Sequence, residues 1–286
     1  DENGGVVNDA VLMHMRDNEF WLSPGDGDVL LWAQGIAAQI DLDVSVEEGD
    51  ICPLQLQGPK SPHVAFKLFG KAVLELGYYH VMETELNGIP LAVSRTGWSG
   101  ELGYELYLED HIHGHDLWES VMEAGEEFNI APAAPNTIRS IEGGLLSYYS
   151  DIRREDNPYT FGLDRLVNLD KNAEFLSREA LRKIQAEGNH RRLVGIEIDR
   201  EPISHNESFW PVLPAEGMGG DKVGHVSRCV WSPRLEKNIG FANVPAELTP
   251  TGTRLTIWTP DGEAGATVVD FPWFPAQKHI PADIAG

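Results

Sequence analysis

"SRTGWSGELGYELYLED", Ser94 to Asp110, sets three glycines and a tryptophan between two stretches in which apolar and polar residues alternate. The alternation in "PLAVSRT" before it and "YELYLE" after it predicts two strands joined by a turn. Along the second strand the side chains point alternately to two faces. Tyr104, Leu106 and Leu108 therefore share one face, and Glu105, Tyr107 and Glu109 share the other. Glu105 is expected outside the leucine face, beside the turn. Gly97, Gly100 and Gly103 are expected to let the backbone take positive φ and to admit a flat ligand. Spacing alone equally allows a plain hairpin loop with a solvent-facing glutamate.

Outward from the turn the chain reads as mixed helices and strands. Residues 4–23 form a candidate hairpin, with "RDN" as turn chemistry between "VVNDAVLMHM" and "EFWLSP". Val29, Trp32, Ala33, Ile36, Ala37 and Ile40 recur at helical spacing, with Asp28 placed as N-cap. "CPLQLQGPK" alternates into a Gly-Pro break, and "SPHVAFKLFG" restarts as a short helix. Past the turn, Leu117, Val121, Ala124 and Phe128 predict a helix from about Asp116, and "APNTIRSIEGGLLSYYS" a second one carrying Ile138, Ile141 and Leu145. "LSREALRKIQAEG" is a third, with Ser177 to cap it, Glu179 in its first turn and Gly188 past its end. Strand, strand and helix in series imply an α+β layer. From about residue 190, "LVGIEI", "KVGHVSRCV", "NIGFANV", "TRLTIWT" and "ATVVD" are short strands between turn residues, which fits a small β-barrel or a sandwich.

Composition narrows the function. The 286 residues, 42% of them hydrophobic, suffice for one large or two medium domains with real cores. Twenty-two Lys plus Arg face 45 Asp plus Glu, a formal charge of −23 that repels a phosphate backbone, so nucleic acid is not an expected partner. No apolar run approaches the roughly 20 residues of a membrane helix, and no signal-like segment opens the chain. A soluble, cytoplasmic protein with no membrane partner is expected. Cys52 and Cys229, the two cysteines, make neither a disulfide framework nor a metal site and are expected as free thiols. His111, His113 and His115 alternate, but with no cysteine or second carboxylate set beside them they are expected to be exposed imidazoles, with no metal.

The sequence around the turn resembles a known family. "GWSGELGYE" is similar to the folate-site signature G-Y-T-G-E-x-G-Y-E of the aminomethyltransferases, the glycine cleavage T-protein and its relatives. "GGVVNDAVL" resembles that family's G-G-V-x-D-D-x-x-V, "IRSIEGGLLSYYSDI" with "NPYTFGLDRLVNLD" and "EFLSREAL" resembles its central helix and following segment, and "GHVSRCVWSPRLEKNIGFANVP" resembles its barrel. The resemblance implies an α+β, T-protein-like folate-binding fold. Ferredoxin-like α/β layers in two intertwined subdomains would occupy residues 1–189, and a C-terminal β-barrel residues 190–286. Because the family carries a further stretch before the G-G-V block, the N-terminal part of its fold is expected to be missing here.

Roles follow from the same resemblance. Glu105 would grip the pterin of tetrahydrofolate, since a carboxylate accepts two parallel hydrogen bonds from a 2-aminopyrimidinone edge. Asn8, Trp98, Ser99 and Tyr104 would complete the folate site, and Asp9 would act as the catalytic carboxylate near N5 and N10. Asn8 stands where the family has a first acid, Trp98-Ser99 where it has Tyr-Thr, and Ser140 where it has the arginine two before the helix glutamate, with Arg139 one residue earlier. These departures put docking of a lipoyl carrier in doubt. They resemble instead the tetrahydrofolate-dependent demethylase branch, above all the dimethylsulfoniopropionate demethylases.

That branch implies transfer of a methyl group from a small donor to N5 of tetrahydrofolate. A sulfonium leaves as a neutral thioether, so the enzyme has chiefly to position and to stabilise charge. Trp21, Trp98, Tyr148, Tyr149 and Trp231 are candidate faces for the sulfonium. Arg139 or Arg153 is a candidate for the substrate carboxylate. An aminomethyltransferase and an O-demethylase of methoxylated aromatic acids stay open as alternatives, as does a homodimer. The folate-binding accessory proteins of iron–sulfur assembly carry K-G-C-x-x-G-Q-E, whereas Cys229 lies in "SRCVWSP".

Overall fold

A computed structural model describes residues 1–25, 27–41, 43–215, 221–282 and 284, with Cys52 described through its backbone alone. The chain divides into two compact units. The first comprises Ala10–Pro24, Asp28–Asn136 and Pro275–Gly286. It contains the hairpin β1 (Val11–Arg16) and β2 (Glu19–Ser23), then α1 (Val29–Gln39), β3 (Cys52–Gln57), α2 (Ser61–Phe69), α3 (Ala72–Glu75), β4 (Val81–Leu86), β5 (Ile89–Ser94), β6 (Gly103–Leu108) and α4 (Gly114–Gly125). The four-stranded sheet is antiparallel in the order β3-β6-β5-β4.

Alternation decides what each face of that sheet does. Leu56, Leu91, Val93, Tyr104, Leu106 and Leu108 form a core with Val64 and Ala65 of α2, Val73 of α3, and Leu117, Val121 and Ala124 of α4. On the opposite face Ala92 and Tyr107 are covered by the hairpin through Met13 and Trp21. In α1 the positions of the expected stripe, from Val29 to Ala37, are half-buried, none is fully buried, and Ile40 is exposed. The Asp28 side chain makes no capping hydrogen bond. The edge strand β4, "VMETEL", turns Glu83 and Glu85 to water and Leu86 into the core at the sheet margin.

The second unit comprises Asp1–Asp9, Gly25–Gly27 and Thr137–Phe274. It contains α5 (Thr137–Glu142), α6 (Arg178–Glu187), β7 (Arg191–Asp199), β8 (Trp210–Pro214), β9 (Gly224–Ser232), β10 (Lys237–Pro245), β11 (Arg254–Thr259) and β12 (Gly262–Val269). The six strands close in the order β10-β7-β12-β11-β8-β9, so a barrel and not a sandwich forms. Val194, Ile196, Ile198, Val226, Ala242, Val244, Leu255 and Ile257 fill its core, with Cys229, whose thiol burial pushes up to about 12. Leu193, Ile239 and Phe241 pack instead with Ile141 of α5. β8 escapes the sequence reading because "WPVLP" holds two prolines, which central strands exclude; it pairs over three positions on each side.

Two further expectations about helices need correction. The second helix stops at Glu142, so Leu145 is not helical. Gly144, at φ 67°, ends it: Leu145 N–H donates to Ser140 O at 2.8 Å and Gly144 N–H to Ile141 O at 3.0 Å, a left-handed glycine cap. Ser177 precedes α6 but its side chain does not cap it.

Candidate functional site

In the sheet unit the register places Glu105 between Gln55 of β3 and Ser94 of β5. Its Oε1 accepts from Gln55 Nε2 at 2.9 Å, and its Oε2 accepts from the Tyr107 hydroxyl at 3.1 Å and from the Thr96 hydroxyl. All three partners are neutral. Thr96 Oγ1 also lies 2.9 Å from Ser94 Oγ, so a turn of its hydroxyl releases one lone pair of Oε2. A carboxylate offers about four acceptor sites. Glu105, half-buried, therefore keeps capacity on both oxygens for two parallel N–H donors, and the residues present fit an aminopyrimidinone edge.

The turn beside Glu105 encloses a side chain of the protein itself. Gln57 Nε2 donates to Thr96 O and to Tyr104 O, both at 3.2 Å, while its Oε1 accepts from Ser99 Oγ at 2.6 Å. A Cβ at Gly97 or at Gly103 would stand 2.2 Å from Gln57 Oε1. These glycines leave room for Gln57, which corrects the expectation that they admit a ligand; of the three only Gly100 has positive φ, at 72°. Trp98 is half-buried in the same turn. Tyr104 is a further correction. It is 1% exposed in the leucine core, and its hydroxyl reaches Val73 O at 3.4 Å, away from Glu105. Tyr107 takes the place beside the carboxylate, its hydroxyl also 3.2 Å from Ser23 Oγ, and burial with the charge of Glu105 pushes its pKa up to about 12. It stays a neutral donor. Trp21 meets Tyr107 edge to face at 6.4 Å and donates to Glu19 Oε1 at 3.1 Å.

In the barrel unit, Asn8, Asp9 and Tyr148 come together. A Cβ at Gly27 would lie 3.2 Å from both Asn8 Nδ2 and Tyr148 Cε1. The Tyr148 and Tyr149 rings meet at a tilt of 55° with centroids 4.7 Å apart, and Tyr149 is 56% exposed in a backbone conformation with φ 65°. A bulky aromatic there is a genuine outlier. The Asp9 carboxyl is exposed in area, yet partial desolvation by its surroundings, with a smaller push from the charge of Asp151, raises its pKa. Asp151 is 1% exposed and accepts from Ser227 Oγ at 2.6 Å, Arg228 Nε at 2.8 Å and Ser147 N at 3.0 Å.

The arginines named from the sequence serve inside this unit. Arg139 pairs with the buried Glu142 at 3.5 Å, which also binds Arg234 at 3.2 Å and accepts from Ser232 Oγ at 2.6 Å. A guanidinium does reach Ser140, at 2.9 Å, but it comes from Arg228 of β9. Arg153 pairs with Glu155 at 2.9 Å and lies 5.4 Å over the Phe209 ring. Phe209 meets His225 at 4.8 Å, and burial, with the charges of Lys222, Arg153 and Arg191, pushes that imidazole down to about 4. Trp231 is half-buried on β9, opposite Asn238.

The three alternate histidines, all of the sheet unit, each face a different carboxylate: His111 meets Asp50 at 2.6 Å, His113 Asp116 at 3.3 Å, and His115 Glu119 at 4.0 Å. Among the described residues Asp50, Asp110 and His111, all exposed, bring potential ligand atoms within 4.8 Å of one another. No helix among the described residues is long and apolar enough to cross a membrane.

Gln55, Thr96 and Ser94 around Glu105, and Asp151 with Arg228, were not indicated by the sequence. Their signal is register and long-range pairing, which one strand's alternation does not carry.

Comparison with known proteins identifies the family and the fold. Residues 1–171 match the GCVT N-terminal domain and residues 191–275 the glycine cleavage T-protein C-terminal barrel domain. The chain is 33% identical over 273 residues to the dimethylsulfoniopropionate demethylase DmdA of Ruegeria pomeroyi, covering 96% of this chain and 73% of that protein. It is likewise 33% identical over 285 residues to an aminomethyltransferase of Symbiobacterium thermophilum, covering 96% and 74%. The fold matches the crystal structure of the glycine cleavage system aminomethyltransferase T from Bartonella henselae with a TM-score of 0.77 at 20% identity, over 98% of this chain and 75% of that one. With both family domains matched along the chain, it belongs to the glycine cleavage T-protein family of folate-dependent one-carbon transferases.

Proposed function

We propose that the protein takes a methyl group from a small sulfonium donor, dimethylsulfoniopropionate, and delivers it to tetrahydrofolate. The observation that carries the reading is the 33% identity to the demethylase over 96% of the chain. The Asn8-Asp9 and Trp98-Ser99 departures from the T-protein pattern support it. Tetrahydrofolate supplies N5 as the acceptor: an N5–C bond forms, the C–S bond leaves its electron pair on sulfur, and the N5 proton departs.

Roles for this chain's residues follow from their surroundings. Glu105 is assigned the pterin edge, because neutral partners hold it while leaving its charge available. Tyr107 and Thr96 orient that carboxylate. Asp9 is assigned the charge passing from sulfur to nitrogen and the released proton, since a carboxyl with a raised pKa is the better base. Tyr148 and Tyr149 offer aromatic faces to a cation beside Asp9. Trp98 and Trp21 are assigned to the ligands of the sheet unit.

The test is an anaerobic incubation of the protein with tetrahydrofolate and dimethylsulfoniopropionate, scoring 5-methyltetrahydrofolate and methylmercaptopropionate by mass spectrometry. Equal amounts of both products are expected. Tetrahydrofolate binding without methylation sinks the sulfonium donor. The second reading, an aminomethyltransferase, is favoured by the equal identity to the Symbiobacterium enzyme and is scored by transfer from an aminomethylated lipoyl carrier.

A further inference from the structure

Asp151 and Arg228 form an ion pair with side chains 0% and 11% exposed. Replacing such a pair by apolar residues is often neutral or stabilising, because desolvation offsets the attraction. Stability is therefore a poor account of it, and its connections offer a better one. Arg228, on β9, donates Nε to Asp151 at 2.8 Å, Nη1 to Ser140 Oγ at 2.9 Å and Nη2 to Leu145 O at 2.6 Å, and lies 5.6 Å over the Phe241 ring. One guanidinium thus ties the end of α5, the segment after it and the turn that follows to a barrel strand.

That turn is closed on itself by Asp151. Its carboxylate accepts from Ser147 N at 3.0 Å, its own N–H donates to Ser147 O at 2.8 Å, and Tyr149 N donates to Ile152 O at 2.9 Å. Tyr149, at φ 65°, sits at the apex of this closed loop, and surroundings that over-determine such a conformation are what maintain it. Tyr148, one residue earlier, lines Gly27 together with Asn8, the neighbour of Asp9.

We propose that Asp151 and Arg228 are positioning residues, a buried clamp that fixes the Ser147–Ile152 turn and its tyrosines against the segment carrying Asn8 and Asp9, and so sets where the Asp9 carboxyl stands. Charge acts in the same direction. Partial burial first, and the buried negative charge of Asp151 second, hold the Asp9 carboxyl above its ordinary range. Tyr148 also faces Asp9, with Arg154 and Glu155 beside that tyrosine, and Arg228 balances Asp151 from the barrel side. The inference rests on the assignment of Asp9 as the reacting carboxylate.

The experiment is a carbon-13 NMR titration of the whole chain labelled at aspartate Cγ, with the Asp9 signal assigned by Asp9→Asn. In Asp151→Asn, which keeps the side-chain shape and removes the negative charge, the Asp9 midpoint is expected to move to lower pH. An unchanged midpoint overturns the inference. Arg228→Lys keeps the charge but loses the planar fork; the Asp9 midpoint is expected to stay, while kcat for methyl transfer falls roughly tenfold or more with KM retained. Unchanged kcat in that variant also overturns it. The titration needs no donor, so a wild-type protein that leaves dimethylsulfoniopropionate untouched refutes the donor assignment and still lets the clamp be judged.

Discussion

Glu105 and Asp151 are both carboxylates with at least three hydrogen-bond donors around them, and the two surroundings make them opposite kinds of residue. Glu105 is half-buried and held by an amide, a phenol and an alcohol. None of those three partners carries a charge. Asp151 is buried, and a guanidinium, a hydroxyl and a backbone N–H consume its charge inside the fold. Donor type, and not donor number, separates the two carboxylates, as the proposed binding role of Glu105 requires.

The sharpest way to break this contrast is to truncate each. Asp151→Ala leaves Arg228 buried without its partner and is expected to cost about 3–5 kcal/mol in chemical denaturation, whereas Glu105→Ala is expected to cost about 1 kcal/mol or less. Equal losses would erase the distinction. Ligand binding sharpens it from the other side: Glu105→Gln keeps the shape, loses the charge, and is expected to weaken tetrahydrofolate binding by about 1–3 kcal/mol in a calorimetric titration. Gly103→Ala drives a Cβ into Gln57 and is expected to lower stability by about 1–3 kcal/mol. Its unfolding midpoint would stay put if Gln57 swings away freely.

A smaller contrast concerns protons. The half-buried His225 imidazole, held near 4 in the fold against an ordinary 6.5, is neutral at pH 7. Below pH 6.5 the unfolded chain binds a proton that the folded one refuses, so stability is lost as pH falls from 6.5 towards 4. His225→Gln is expected to flatten that loss by less than about 1.4 kcal/mol per pH unit, since the ring keeps some contact with water. Parallel pH curves for the two proteins would contradict the assignment.

The same two regions differ in how far they can be read from sequence. The face of Glu105 follows from a period of two within one strand, and the leucine core opposite it was legible in "YELYLE" alone. Its partners were not, because Gln55 lies 50 residues away and only register brings it opposite. Asp151 and Arg228 are 77 residues apart and belong to no shared period, so no local pattern marks them. Tyr104 looked like a ligand contact through its place in the signature, yet alternation had already put it with Leu106 and Leu108; the physical rule was the better guide. The glycines of the turn mislead similarly, since a missing Cβ marks a close approach without saying whether the visitor is a ligand or, as here, Gln57.

Cys229 makes the barrel its own stopwatch. A thiol enclosed among Ile196, Val226 and Ile257 and held at about 12 has almost no thiolate for an alkylating reagent to attack while the barrel stays closed. Alkylation at that position, followed by peptide mass, then counts openings of the barrel one molecule at a time. The rate at which it accumulates measures how often six strands part in a protein that has never been denatured.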